Sequence, residues 1–265
     1  MKWPPRLPQT PARKLPLDRI ALAIVLGAAM FLAGRGWLKD HPQHDPFTPL
    51  DLREGRGWAT QTKLDALRSD PDACRAVLEQ SEIAFTSLPP TGEGECRRED
   101  RLVLDDAPLT PGGAEFTCPV AVGVEMWIGQ DLQPVAEAEL GSRVERIEHL
   151  GTYSCRRIGG GDGASDKSGE VGGDAASDGA SEEARWSEHS RGNAIDIAAF
   201  VLEDGRRISV LQDWQGEGSE ARFLHAARDA ACTNFGTVLS PDYNADHADH
   251  LHLDQGRSTT FGFCR

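Results

Sequence analysis

At 265 residues the chain is long enough for one sizeable domain with appendages. A formal charge of −14 argues against nucleic-acid binding, which needs a basic face, and against adhesion of the soluble part to anionic lipid head groups. Few aromatic residues and 28 glycines imply that part of the chain stays outside any packed core.

Residues 1–19 are basic and proline-rich, with Lys2, Arg6, Arg13, Lys14 and Arg19 against Asp18. Ile20 to Gly34 is an uncharged, mostly apolar run that Arg35 ends; Trp37 and Leu38 suit a membrane interface. This charge order fits a secretory signal peptide and a signal anchor alike. No good small-x-small cleavage site follows, with bulky residues at Met30-Phe31-Leu32 where small ones are wanted, so the expectation is an uncleaved anchor. Residues 20–38 then cross the inner membrane once, 1–19 form a cytoplasmic tail, and the remainder is periplasmic. Secretion after cleavage is the alternative. Residues 39–71 read as a linker, with a short helix near Gln61 to Arg68 and with His41 and His44 in solvent.

A globular domain is expected from residue 72 to residue 265. Cys74 to Gln80 has helical spacing, and Leu102-Val103-Leu104 is a short strand. Cys118 to Ile128 reads as a buried helix, although its alternating valines also permit a strand. Pro134 to Leu140 reads as a second helix and Val144 to Tyr153 as a strand. Residues 159–184 are low in complexity, made of Gly, Ala, Ser and acids, and read as a disordered, solvated insert. Glu220 to Ala231 is amphipathic, with Phe223, Leu224, Ala227 and Ala231 on one face. Asn234 to Asn244 is expected to loop back, and Phe261 to Cys264 closes the chain.

Six cysteines stand at Cys74, Cys96, Cys118, Cys155, Cys232 and Cys264. None forms a C-x-x-C pair, and an even number behind an export signal reads as three disulfides. Six cysteines permit fifteen pairings. Cys74–Cys96 is expected as a local staple.

Two stretches carry the chemistry. Asp246-His247-Ala248-Asp249-His250-Leu251-His252-Leu253-Asp254 concentrates histidine and aspartate. Strand alternation puts His250, His252 and Asp254 on one face and the leucines on the other. Ser187-Glu188-His189-Ser190-Arg191-Gly192-Asn193-Ala194-Ile195-Asp196 leads into an apolar run that reads as a buried strand. A catalytic zinc takes three nitrogen or oxygen ligands and keeps a fourth position open. His189, Asp196 and His252 make such a set.

The pattern Ser187-x-His189-x-x-Gly192-x-Ala194-x-Asp196, followed by Asp249-His250-x-His252, resembles the zinc peptidases of the D-Ala-D-Ala carboxypeptidase, lysostaphin and hedgehog superfamily. Cys118-Pro119, Gly151-Thr152-Tyr153-Ser154-Cys155-Arg156, Asn193-Ala194-Ile195-Asp196-Ile197-Ala198 and His247-x-x-Asp249-His250-x-His252-x-Asp254 bring the likeness closer to bacterial extensin-like C-terminal domain proteins. The resemblance implies an α+β domain, a small antiparallel sheet with flanking helices, holding Zn2+ on His189, Asp196 and His252. It implies Asp249 as general base, provided Asp249 sits before the strand or at a bulge, with His250 sharing that role or steadying the oxyanion. Arg156 stands where a substrate carboxylate or the oxyanion would be gripped. His247 and Asp254 would orient a ligand histidine, Ser187 would cap the turn at His189, and Glu188 would face solvent. The implied function is zinc-dependent hydrolysis of peptidoglycan peptide stems, of carboxypeptidase or endopeptidase type. The alternative is a non-catalytic cell-wall-binding module with a structural or vestigial zinc. The acidic insert departs from the family, where the connection from Cys155 to the first zinc histidine is short.

Overall fold

The computed structural model describes residues 17–158 and 185–265. Most of the basic tail and all of the acidic insert expected at 159–184 lie outside the described residues. The helices are α1 (Leu17–Asp40), α2 (Thr60–Leu67), α3 (Pro71–Gln80), α4 (Cys118–Met126), α5 (Gln133–Leu140), α6 (Val210–Asp213) and α7 (Ser219–Ala231). The strands are β1 (Phe85–Ser87), β2 (Leu102–Leu104), β3 (Leu109–Thr110), β4 (Glu115–Phe116), β5 (Val144–Gly151), β6 (Ala194–Leu202), β7 (Arg207–Ser209), β8 (Thr237–Leu239), β9 (Leu251–Asp254) and β10 (Phe263–Cys264). The domain is therefore a mixed α+β body.

Helix α1 contains the apolar run expected at 20–38. Its segment Arg19–Asp40 has a mean hydropathy of 1.8, and its most apolar eighteen-residue window has no buried residue. At about 1.5 Å per residue it is long enough to cross a bilayer, and a signal sequence meets the same description.

Local chemistry explains the other helices. Asp70 caps α3 by accepting the Ala73 N–H at 3.0 Å, and Pro71 starts the first turn without losing a bond. In α4 every residue except Glu125 is buried. A helix that is apolar all round belongs inside, which decides the alternating valines in favour of helix. A π-helical stretch, Trp127–Leu132, joins α4 to α5. It carries Trp127 into the core, where the indole N–H donates to the Ala227 carbonyl at 3.0 Å. Phe200 meets Trp127 and Phe223 edge-on, at centroid distances of 6.0 and 5.1 Å.

The main sheet runs β10-β8-β9-β6-β5-β3, with β7 pairing β6 beside β9. It is larger than the small antiparallel sheet expected, and it is mixed: the two-residue edge strands β3 and β10 pair parallel to β5 and β8. Each edge strand arrives by a long connection, which frees it from hairpin geometry. Strand β8 also occupies part of the Asn234–Asn244 stretch expected to be loop. A separate sheet, β1-β2-β4, is antiparallel.

Two expectations need correction. The stretch expected as linker packs on the domain: Leu50, Leu52, Leu64 and Leu67 are buried in the common core. Arg56 pairs with Asp131, whose carboxylate also accepts from the Asn234 amide at 2.8 Å. The linker reading failed because these leucines are scattered among prolines and charges, so periodicity did not reveal them. The expected Cys74–Cys96 staple is also absent. The bridges are Cys74–Cys118, Cys96–Cys155 and Cys232–Cys264. Cys74 lies on α3 and faces α4, which packs on it, whereas Cys96 lies beyond β1 and faces the loop after β5.

Asp65 of α2 ties down the C-terminal segment. It accepts the Thr259 N–H at 2.6 Å, the Thr259 and Thr260 hydroxyls at 2.9 Å each, and the Ser258 hydroxyl. Burial pushes its carboxyl up, but these hydrogen bonds outweigh burial and hold it below the ordinary value. A depressed folded pKa gives stability that is present above the unfolded value of about 4 and is lost as pH falls through the lower folded value. Solvent screening at this partly exposed site keeps the contribution to roughly 1 kcal/mol. Asp65→Asn is expected to lower the denaturant midpoint at pH 7, by a difference from the parent that shrinks as pH falls below about 4.

Candidate metal centre

His189 sits in a single 3-10 turn, Glu188–Arg191. Ser187 begins the turn, and its hydroxyl accepts the His189 N–H at 3.3 Å. Gly192 ends it at φ 71°, a left-handed conformation that glycine adopts without strain. Neighbours then fasten the loop. The Ser154 N–H donates to the His189 carbonyl at 3.1 Å, on a segment held by Cys96–Cys155. The Asn193 amide donates to Glu188 at 2.7 Å and accepts from the Thr117 hydroxyl at 2.7 Å. Glu188 thus faces inward, against the expectation of solvent, and abuts Gly256, where an added Cβ would lie 2.6 Å from its carboxylate.

Strand register supplies the other two donors. In the antiparallel β6–β9 pair, Asp196 stands directly opposite His252. Their side chains project to one face, and the turn delivers His189 to the same point. His189 Nε2 lies 3.1 Å from Asp196 Oδ1 and 3.0 Å from His252 Nδ1, and Asp196 Oδ1 lies 3.0 Å from His252 Nδ1. Donors around a tetrahedral ion with bonds of about 2.0–2.1 Å stand about 3.3 Å apart. The three are close enough together to hold one metal ion.

The electrostatics favour a cation at this point. Burial pushes Asp196 up, yet hydrogen bonds to His189 and His252 outweigh it and hold the carboxylate far below its ordinary range. Burial pushes His252 down, yet Asp196 and Asp254 raise it to about 9. Two ring nitrogens and one carboxylate oxygen about 3 Å apart and largely buried are stabilised by a positive charge between them, whether proton or metal. His252 Nε2–H donates to Asp254 Oδ2 at 2.9 Å, which leaves Nδ1 facing His189 and Asp196. Asp254 is fixed in turn by the Gly256 N–H at 2.8 Å.

His250 is buried, with Nε2 3.5 Å from Asp196 Oδ1. Its Nδ1–H donates to Asp249 at 2.8 Å. Asp249 stands before β9 begins, as its assigned role requires, but it is half exposed and sits behind His250 rather than against the donors. The His247 ring lies 5.2 Å from that of His250 and 5.8 Å from that of His252. Burial, then the charges of His250 and His252, lower His247 to about 4. Its Nδ1–H donates to the Asn244 side-chain oxygen at 2.6 Å.

Of the three donors, His252 lines a cleft of about 370 Å³, while His189 and Asp196 lie behind its wall. Arg156, Ser187, His247, His250, His252 and Asp254 all line it, so the structure gathers these sequence-assigned residues at one place. The reading from sequence missed Trp186, Tyr243, Arg257 and Phe263, which line the same cleft. Trp186 adjoins Ser187 in the chain and could have been found; the others come from separate loops and β10.

Residues 72–265 match the family described as extensin-like protein C-terminus. Comparison with curated proteins and with solved structures returns no match.

Proposed function

The chain belongs to the extensin-like protein C-terminus family, and from that premise we propose that it is a zinc-dependent hydrolase of peptidoglycan peptide stems. In this reading it is held in the inner membrane by α1, with its domain in the periplasm. The observation that carries the proposal is the set of three donor atoms from His189, Asp196 and His252, about 3 Å apart, beside an open cleft. Two imidazoles and one carboxylate suit zinc, and three protein donors leave a fourth position open. The likeness of Ser187 to Asp196 and of Asp249 to His252 to the carboxypeptidase, lysostaphin and hedgehog superfamily supports the substrate class.

When bound, zinc supplies Lewis acidity: it polarises a carbonyl and makes water acidic enough to attack near neutral pH. The protein's own residues do the rest. Asp249 holds the His250 ring through Nδ1–H, so His250 Nε2 faces the centre and can take a proton from attacking water. Asp249 then acts through His250 as a positioning residue. Arg156, in the lining of the same cleft, offers a guanidinium to a substrate carboxylate or to the oxygen that gains charge. Asp254 keeps His252 in the tautomer that presents Nδ1.

The test uses the full chain in detergent, loaded with zinc and incubated with purified sacculi. Soluble muropeptides should appear and should vanish with a chelator. His250→Ala should keep its zinc and lose turnover by about 10²–10⁴-fold, the usual weight of a general base. Asp249→Asn should lose about tenfold. If His250→Ala releases product at the parent rate, the proposed base is wrong. Wall binding with no product from any zinc-loaded preparation would favour the non-catalytic binding module.

A further inference from the structure

The junction between α1 and the domain is packed, not loose. Trp37, in the last turns of α1, stacks on His41 and His44 with centroids 4.4 and 5.2 Å apart, and meets Trp58 edge-on at 5.8 Å. The Trp58 backbone N–H donates to His44 Nδ1 at 3.1 Å, and its indole N–H donates to the His44 carbonyl. Lys63 of α2, largely buried, reaches back to the Pro42 carbonyl at 2.8 Å, the Thr48 hydroxyl at 3.0 Å and the Pro49 carbonyl at 3.3 Å. His41 and His44, expected in solvent, are thus parts of an aromatic stack.

This junction leaves large apolar groups uncovered. Phe47 is 94% exposed and Trp58 70% exposed. Phe47 is held outward by its turn: its N–H donates to Asp45 Oδ1 at 3.0 Å, and the Thr48 hydroxyl bonds back to the Pro42 carbonyl at 2.9 Å. Trp58 meets Trp37 of α1, the helix long enough to cross a bilayer, and Phe47 follows the end of that helix by seven residues in the chain. Aromatic side chains at such ends settle at the level of the lipid head groups. Nearby charges do not favour anionic lipid: Arg53 is already paired with Asp51 and Glu82, and Lys39 has Asp40 and Asp45 close in sequence.

We propose that Phe47, Trp58 and Trp37 form an interfacial platform that seats the domain directly on the membrane surface α1 emerges from, in one fixed orientation. The occupant of this face is the head-group layer of the bilayer, entered by aromatic insertion and not by charge. The proposal rests on the reading of α1 as a retained anchor. It takes the place of the linker expected at residues 39–71.

The experiment places the full chain in phosphatidylcholine nanodiscs containing a diazirine-tagged lipid, followed by photolysis, digestion and mass spectrometry. Adducts should appear on α1 and also on Phe47 and Trp58, and 1 M salt should leave the pattern unchanged. Phe47→Ser, at a site with no packing to lose, should cut adducts on the 45–58 segment about fivefold and leave those on α1 intact. Adducts confined to α1 overturn the platform while keeping the anchor. Loss of the 45–58 adducts in high salt also overturns aromatic insertion. Absence of adducts from α1 itself overturns the anchor, and the platform with it.

Discussion

Asp196→Asn is expected to abolish metal binding. Zinc in the purified protein should fall from about one equivalent to below about a tenth after dialysis against a mild chelator. The substitution preserves shape and removes the only negative charge among the three donors. It also puts a donating amide group where a lone pair is needed. Loss of one charged ligand from a three-ligand site weakens affinity by at least about a thousandfold, about 4 kcal/mol. Thermal unfolding supplies a second readout. A ligand that binds only the folded state raises its stability with ligand concentration, so zinc should raise the parent's midpoint and leave that of Asp196→Asn in place. The fold should survive, because Asp196 lies near the start of β6 while the strand's apolar residues, Ile195, Ile197 and Phe200, stay in the core. Asp196→Asn protein that keeps a full equivalent of zinc would show that the metal sits elsewhere.

The second large effect is expected at Cys74–Cys118. Both cysteines are fully buried, and the bridge joins α3 to the start of α4 across a sequence separation of 44 residues. Between them in the chain lies the whole three-stranded sheet. Closing a loop of that length removes chain entropy from the unfolded state worth about 4 kcal/mol at 25 °C. Small domains have only about 5–15 kcal/mol in total. The Cys74→Ala/Cys118→Ala double variant should therefore lower the thermal midpoint by roughly 10 °C. Differential scanning calorimetry under oxidising conditions checks this. A midpoint within about 2 °C of the parent would mean that α3–α4 packing alone holds this part of the domain.

The elements read best from sequence were those whose own residues settle them. Helix α7 shows Phe223, Leu224, Ala227 and Ala231 on one face, and all four are buried. Strand β6 is an apolar run broken by Asp196, and it forms as read. The stretch at 118–128 was ambiguous in pattern, and burial on all sides decided it. The stretch at 39–71 misled, because Leu50 and Leu52 reach the core through a turn-rich path whose direction depends on Arg56, Lys63 and Ser81.

For the centre, sequence alone determined the inventory: which histidines and carboxylates carry donors, and that alternation along β9 sends His252 and Asp254 to one face. It could not pair β6 with β9, because register is set by which leucines and isoleucines of the two strands share the core. Only tertiary structure placed Asp196 opposite His252, swung the Ser187–Gly192 turn over them, and put Asp249 behind His250. It alone chose the three bridges from fifteen pairings, since a disulfide needs Cα atoms about 4.4–6.8 Å apart, and that proximity is a property of packed elements, not of spacing along the chain.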